Sequence, residues 1–164
     1  MEAFTIAIGR ADVLNEVGRL TAYIGSKMQD DDAAYDRIRT TGGDDEMLAL
    51  YWNETADLLT EQLKPFLYAQ DGQAAISNTG TIGNDSNIPG YFASVKPSSS
   101  YDTSLTPSVQ TALRSYFIAS IVARWCKLTN KAETEAYTLE STNHLTDAMR
   151  KLYYKRKPIR VTPT

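Results

Sequence analysis

With 164 residues the chain has room for one substantial hydrophobic core and little room for two. Hydrophobic residues at 42% and charged residues at 23% exclude a wholly disordered polymer. A formal net charge of -3 removes any long-range attraction to nucleic acid, so such a contact would need a local basic patch.

In chain order, AFTIAIG alternates Phe4, Ile6 and Ile8 with smaller or polar neighbours. That suits a short half-buried strand or extended arm, and equally the start of the helix that follows. From about Asp12, Val13, Val17, Leu20, Ile24 and Met28 recur at spacings of three and four, with Leu14 and Tyr23 widening the stripe, which predicts an amphipathic helix. Gly18 and Gly25 each weaken that helix by about 1 kcal/mol against alanine, unless a neighbouring backbone packs close to them. The segment MQDDDAAYDRIRTTGG has an acidic start and a glycine stop, predicting one short helix around Ala34, Tyr35 and Ile38.

A longer helix is expected from near Asp45. Asp44 can cap its first amides, Asp45 and Glu46 complement the positive end of its dipole, and Leu48, Tyr51, Trp52, Thr55, Leu59, Gln62 and Phe66 approximate one face. Pro65 lacks a donor and should stop or kink it near Lys64. The stretch 71–105 is rich in Gly, Ser, Asn and Thr and is too long for a structureless connection. QAAIS and YFASVK are candidate strands around the turn-rich NTGTIGNDSNIPG, which would make a projecting hairpin.

Thr106-Pro107 then restarts the helical pattern, threonine as cap and proline at the first helical position. From Tyr116 to Cys126 only Ser120 and Arg124 are strongly polar. Val109, Leu113, Tyr116, Phe117, Ile121 and Trp125 share a face, and only the strip Ser120, Arg124, Lys127 and Lys131 requires solvent or a charged partner. A helix from about Pro107 to Leu128, buried over most of its circumference, is expected at the centre of a bundle. The last helix should place Thr138, Ser141, Leu145, Ala148, Met149 and Leu152 on one side, end before Pro158, and leave 158–164 as an extended tail. The fold class is therefore mainly α: a single helical domain over 1–164, a helical bundle with an insertion at 71–105 and that tail.

Catalytic constellations are missing from the pattern. His144 is the sole histidine and Cys126 the sole cysteine, too few for a zinc site, a nucleophile triad or an intramolecular disulfide. Asp30-Asp31-Asp32 lacks the spacing of a calcium loop, and Gly80-Thr81-Ile82-Gly83 lacks the lysine of a phosphate loop. No enzyme activity, cofactor or metal is expected. The amino terminus MEAFTIAIGRADVLNE lacks the pattern of a secretory signal and is too short in apolar length to span a bilayer, so a cytosolic product without membrane contact is expected.

Two charge clusters of opposite sign stand far apart. Asp30, Asp31, Asp32, Asp36, Asp44, Asp45 and Glu46 are seven acids against Arg37 and Arg39, whereas after Asp147 there is no acid, only Arg150, Lys151, Lys155, Arg156, Lys157 and Arg160. Helix-dipole preference alone accounts for much of this, since acids favour helix starts and bases helix ends. A second reading is a head-to-tail contact between identical subunits through the two patches. A third is phosphate neutralisation with stacking by Tyr153 and Tyr154, as in a small helical nucleic-acid-binding regulator.

The acidic-capped GDDEMLALYWNETADLLTEQL, the proline-started TPSVQTALRSYFIASIVARW and the final HLTDAMRKLYYKRKPIR, in this order, resemble the head-tail connector proteins of tailed bacteriophages, also called adaptors or neck proteins. The resemblance implies a virion structural protein, made in the host cytoplasm and resident in the neck. It would dock under the portal protein as a dodecameric ring that extends the DNA channel, passes DNA without reading its sequence, and meets tail or further neck proteins below. In that family the carboxyl-terminal tail commonly engages the portal, which implies portal or neighbour binding by Arg150, Lys151, Lys155, Arg156, Lys157, Ile159, Arg160 and Val161. The region 71–105 is longer than the corresponding family loop, and its implied role is a tail-side or subunit-linking projection.

Overall fold

The structure is a computed structural model that describes residues 3–28, 33–69, 76–81, 89–155 and 157–158, with backbone alone for 76–81. It is mainly helical with a small antiparallel sheet. In chain order the elements are β1 (Phe4–Gly9), α1 (Arg10–Ser26), α2 (Ala34–Ile38), α3 (Asp45–Leu63), β2 (Ile76–Thr81), β3 (Pro89–Val95), α4 (Thr106–Thr129) and α5 (Lys131–Tyr153).

Strand β1 runs directly into α1, so the amino-terminal alternation is a strand and the helix takes over at Arg10. β1 pairs antiparallel with β3, matching Phe4 to Val95, Ile6 to Ala93 and Ile8 to Tyr91. Because side chains alternate across a strand, this register puts Ile6, Ile8, Tyr91, Ala93 and Val95 on one face, and all five are buried. β2 pairs with the other side of β3, its register shifting between Ser77 and Gly80, for a sheet order β1-β3-β2. Both strands of that pair reach further into the turn-rich segment than expected, to Thr81 and back from Pro89. At the free side of β1 the Gln110 side chain closes a two-way bond with Ala7: the Ala7 amide donates to Oε1 at 3.1 Å, and Nε2 donates to the Ala7 carbonyl. An edge strand's open backbone is thus satisfied by a side chain from α4.

α1 keeps Val13, Val17, Thr21 and Ile24 inside; Tyr23 is exposed because it lies off that face, and Met28 because the buried face ends at Gly25. A Cβ at Gly25 would stand 2.8 Å from the Tyr35 Cα and 3.2 Å from the Ala34 carbonyl oxygen, so only glycine lets α2 approach this closely. At Gly18 the nearest atom would be the Thr40 hydroxyl at 3.5 Å, an ordinary contact.

α3 begins at Asp45 as expected, but Asp44 does not cap its amides. The Asp44 carboxylate reaches back to accept from the Thr41 amide at 2.8 Å and the Thr41 hydroxyl at 3.1 Å, closing the 3-10 turn Gly42–Asp44. The helix stops at Leu63 and tightens into a 3-10 turn at Lys64–Phe66, which accommodates Pro65. Gln62 is exposed and Leu63 takes the buried position, because the core-facing stripe rotates with the 3.6-residue period.

α4 is touched by α1, α2, α3, α5 and β1. From Tyr116 to Ala123 every residue is buried. Phe117 lies between two rings, 4.6 Å from Trp52 and 5.6 Å from Tyr91, centroid to centroid. The expected polar strip is corrected here: Ser120 is buried and shares a 3.1 Å hydrogen bond with Thr55 of α3, so it faces a partner and not water. Arg124 does find a charged partner, Glu54, at 2.6 Å. Thr106 is inside the helix, not its cap; its hydroxyl meets Tyr101 at 3.2 Å.

One residue, Asn130, separates α4 from α5, which folds back along α4 so that Lys151 reaches Ser108. α5 buries only Ser141, Ala148 and Leu152, with Tyr137, Leu145 and Met149 packed beside the core. Thr138 is exposed, its place on the inner face taken by Tyr137. The helix ends at Tyr153, well before Pro158, because the backbone turns extended at Tyr154 and Lys155 forms an isolated antiparallel bridge with Tyr101.

Candidate functional site

The basic end of α5 divides into bases that pair with Asp147 and exposed bases further along. Asp147 accepts from Arg150 at 3.0 Å and from Lys151 at 2.5 Å. Lys151 also donates to the Ser108 hydroxyl at 2.6 Å. The lysine hydrogen bond, then that of the arginine, holds the Asp147 carboxyl below its usual range against an opposing effect of burial. Lys151 therefore ties α5 to α4, a structural task the local sequence does not announce. Tyr153, Tyr154, Lys155 and Lys157 are exposed, and Tyr153 meets the Phe66 ring edge-on at 4.8 Å. Arg156, Ile159, Arg160 and Val161 lie outside the described residues. Asp102, Leu105, Arg150, Lys151 and Tyr154 line an open groove of about 410 Å³ beside this end.

The acidic set does not form one patch among the described residues. Asp30, Asp31 and Asp32 lie outside them. Asp36 pairs with Arg39 at 3.4 Å, Asp44 closes the Thr41 turn, and Asp45 and Glu46 stand exposed at the start of α3. Asp45 also lines a recess with Arg10, Ala11, Leu14 and Pro89. No ion pair among the described residues joins this set to the basic end.

Beyond those sets, Asp12 of α1 receives two hydrogen bonds from Arg114 of α4, at 2.6 and 3.1 Å. The arginine bond lowers the Asp12 pKa, with burial opposing it. His144 lies 3.4 Å from Glu140, one turn before it on α5, in a groove shared with Glu16, Arg114 and Tyr137. Burial pushes the Cys126 thiol up to about 11, which keeps it protonated and unreactive at neutral pH. Among the described residues no group of three His, Cys, Asp or Glu side chains can hold a metal ion, and no helix is long and apolar enough to cross a membrane.

The surface the sequence reading missed is the outer side of α3. Met47, Leu50 and Leu58 are exposed there, and the signal available was their position off the face occupied by Leu48, Trp52 and Leu59. Comparison with known proteins gives no significant match to a family model, a curated protein or a solved structure.

Proposed function

We propose that this chain is a virion structural protein, a head-tail connector (adaptor) subunit that works by geometry and stacking in a ring. On this reading the helices form a bundle around α4, 71–105 forms a projecting hairpin, and the basic tail from Lys155 engages the portal protein above. Copies of the chain complete a ring around passing DNA, and tail or further neck proteins attach below. The observation that carries the proposal is the division of labour in the helical hairpin: α4 is wholly buried from Tyr116 to Ala123, while the exposed bases and tyrosines gather where α5 ends. The resemblance of the three helical stretches to connector proteins supports the same reading.

The test is Lys155→Glu, Arg156→Glu and Lys157→Glu combined, mixed with candidate portal rings and imaged. Loss of ring decoration with an unchanged unfolding transition is expected; undiminished assembly removes the tail from the portal contact.

Exposed Tyr153 and Tyr154 beside Lys155 and Lys157 favour a second reading, a small helical nucleic-acid-binding regulator. Titration with duplex and single-stranded DNA at several salt concentrations separates the two. Phosphate contacts give an affinity that falls steeply as salt rises, and no binding at low salt eliminates the regulator.

A further inference from the structure

α3 contains five acids, Asp45, Glu46, Glu54, Asp57 and Glu61, and no base. Helical periodicity puts Glu46, Met47, Leu50, Glu54, Asp57, Leu58 and Glu61 on its outer side. Met47, Leu50 and Leu58 are 40%, 50% and 46% exposed, too much for residues merely flanking the core. They spread over about 17 Å at 1.5 Å per residue. Glu54 is occupied by Arg124, whereas Glu46, Asp57 and Glu61 make no ion pair with a described residue. An apolar stripe interleaved with unpaired carboxylates repels phosphate and suits a partner that is both basic and apolar.

This same chain carries such a surface. Past Asp147 it has bases and no acids, and Tyr153, Tyr154, Lys155 and Lys157 are exposed. Tyr153 is braced by Phe66 and the Lys155 backbone by Tyr101, so the donor surface is held in place before any partner arrives. Tyrosines among the bases supply the apolar half of the match, as at the centres of many interfaces.

We propose that the outer face of α3, centred on Leu50 and Leu58, is the docking site for a second copy of this chain, which lays Tyr154, Lys155 and Lys157 against it. The contact joins unlike surfaces and can therefore repeat from copy to copy. It rests on the connector reading for its purpose and specifies which surfaces would meet. It also moves the acidic partner from Asp30–Glu46, where Asp36 and Asp44 are internally engaged, to Glu46, Asp57 and Glu61.

The experiment couples two single-cysteine additions with a short bismaleimide, Leu58→Cys in one population and Lys157→Cys in the other. Cys126 is fully buried, so the unaltered chain provides the blank. Mixing should give a cross-linked pair that neither population gives alone, and adding Leu50→Lys and Asp57→Lys to the first should abolish it. Absence of the mixed product at every concentration, or its survival of both added lysines, overturns the interface. Portal binding by the same variants is read separately. If it persists while coupling fails, only this interface falls; if the lysines weaken portal binding and leave coupling intact, the face belongs to the portal and the proposal is wrong.

Discussion

α4 and α5 are two helices of nearly equal length, 24 and 23 residues, joined through one residue, and they live in opposite solvents. α4 is touched by α1, α2, α3, α5 and β1 and buries every residue from Tyr116 to Ala123, Ser120 included. α5 leans mainly on α4 along one stripe and leaves Leu139 61% exposed. Adjacent placement in the chain therefore says nothing about equal contribution to stability. What separates the helices is how many other elements close over each, and α5 retains a large surface that is free to recognise something else.

The largest expected effect breaks the pair apart at its rings. Phe117→Ala removes the side chain wedged between Trp52 and Tyr91 and should cost about 3–5 kcal/mol in urea unfolding. Leu139→Ala should stay within about 0.5 kcal/mol, because its side chain already meets water. Comparable losses at both positions would mean that α5 is closed over from outside.

A finer contrast lies in two buried serines. Ser120→Ala strands the Thr55 hydroxyl on α3 and should cost about 1–3 kcal/mol, with most of it recovered when Thr55→Val is added. Among the described residues Ser141 bonds only the Thr138 carbonyl of its own helix, so Ser141→Ala should shift stability by about 0.5 kcal/mol or less. A double-mutant cycle on Ser120 and Thr55 reads the coupling directly.

The smallest effect concerns the tie between the two helices. The Asp147 pKa is lowered in the folded chain, so its stabilisation is fully present above the ordinary value of 3.8 and is lost as pH falls through the folded pKa. Asp147→Asn should flatten that acid limb by a few tenths of a kcal/mol, modest because the carboxyl is partly in water. Unfolding midpoints measured across the acid range check it. An unchanged pH dependence would show that Lys151 holds α5 through Ser108 alone.

Much of the helical plan was legible because its signals are local. The acidic run before Met47 and Pro65 bounded α3 to within a residue or two, and Thr106-Pro107 marked the start of α4. The warning attached to the glycines was also sound in kind, but nothing in the chain distinguished Gly25, which admits the α2 backbone, from Gly18, which touches only a hydroxyl. Roles that depend on which partner a polar side chain meets in space were misassigned. Asp44 serves Thr41, Thr106 serves Tyr101, and Ser120 is enclosed. In the candidate site, the run of bases after Asp147 is visible in the sequence, which gave no sign that Arg150 and Lys151 would be tied to Asp147 and did not single out the outer face of α3.

By itself the sequence determined which segments become helices and that the run from Tyr116 to Cys126 must be shielded from water, since periodicity, caps and proline act within a few residues. Only the tertiary structure decided what does the shielding. Ala7 finds Gln110 across 103 positions, Arg124 finds Glu54 across 70 and Ser120 finds Thr55 across 65. Such pairings are chosen by the competition of whole surfaces for burial, where each polar group must be satisfied by whatever the packing brings near, and no local pattern encodes that outcome.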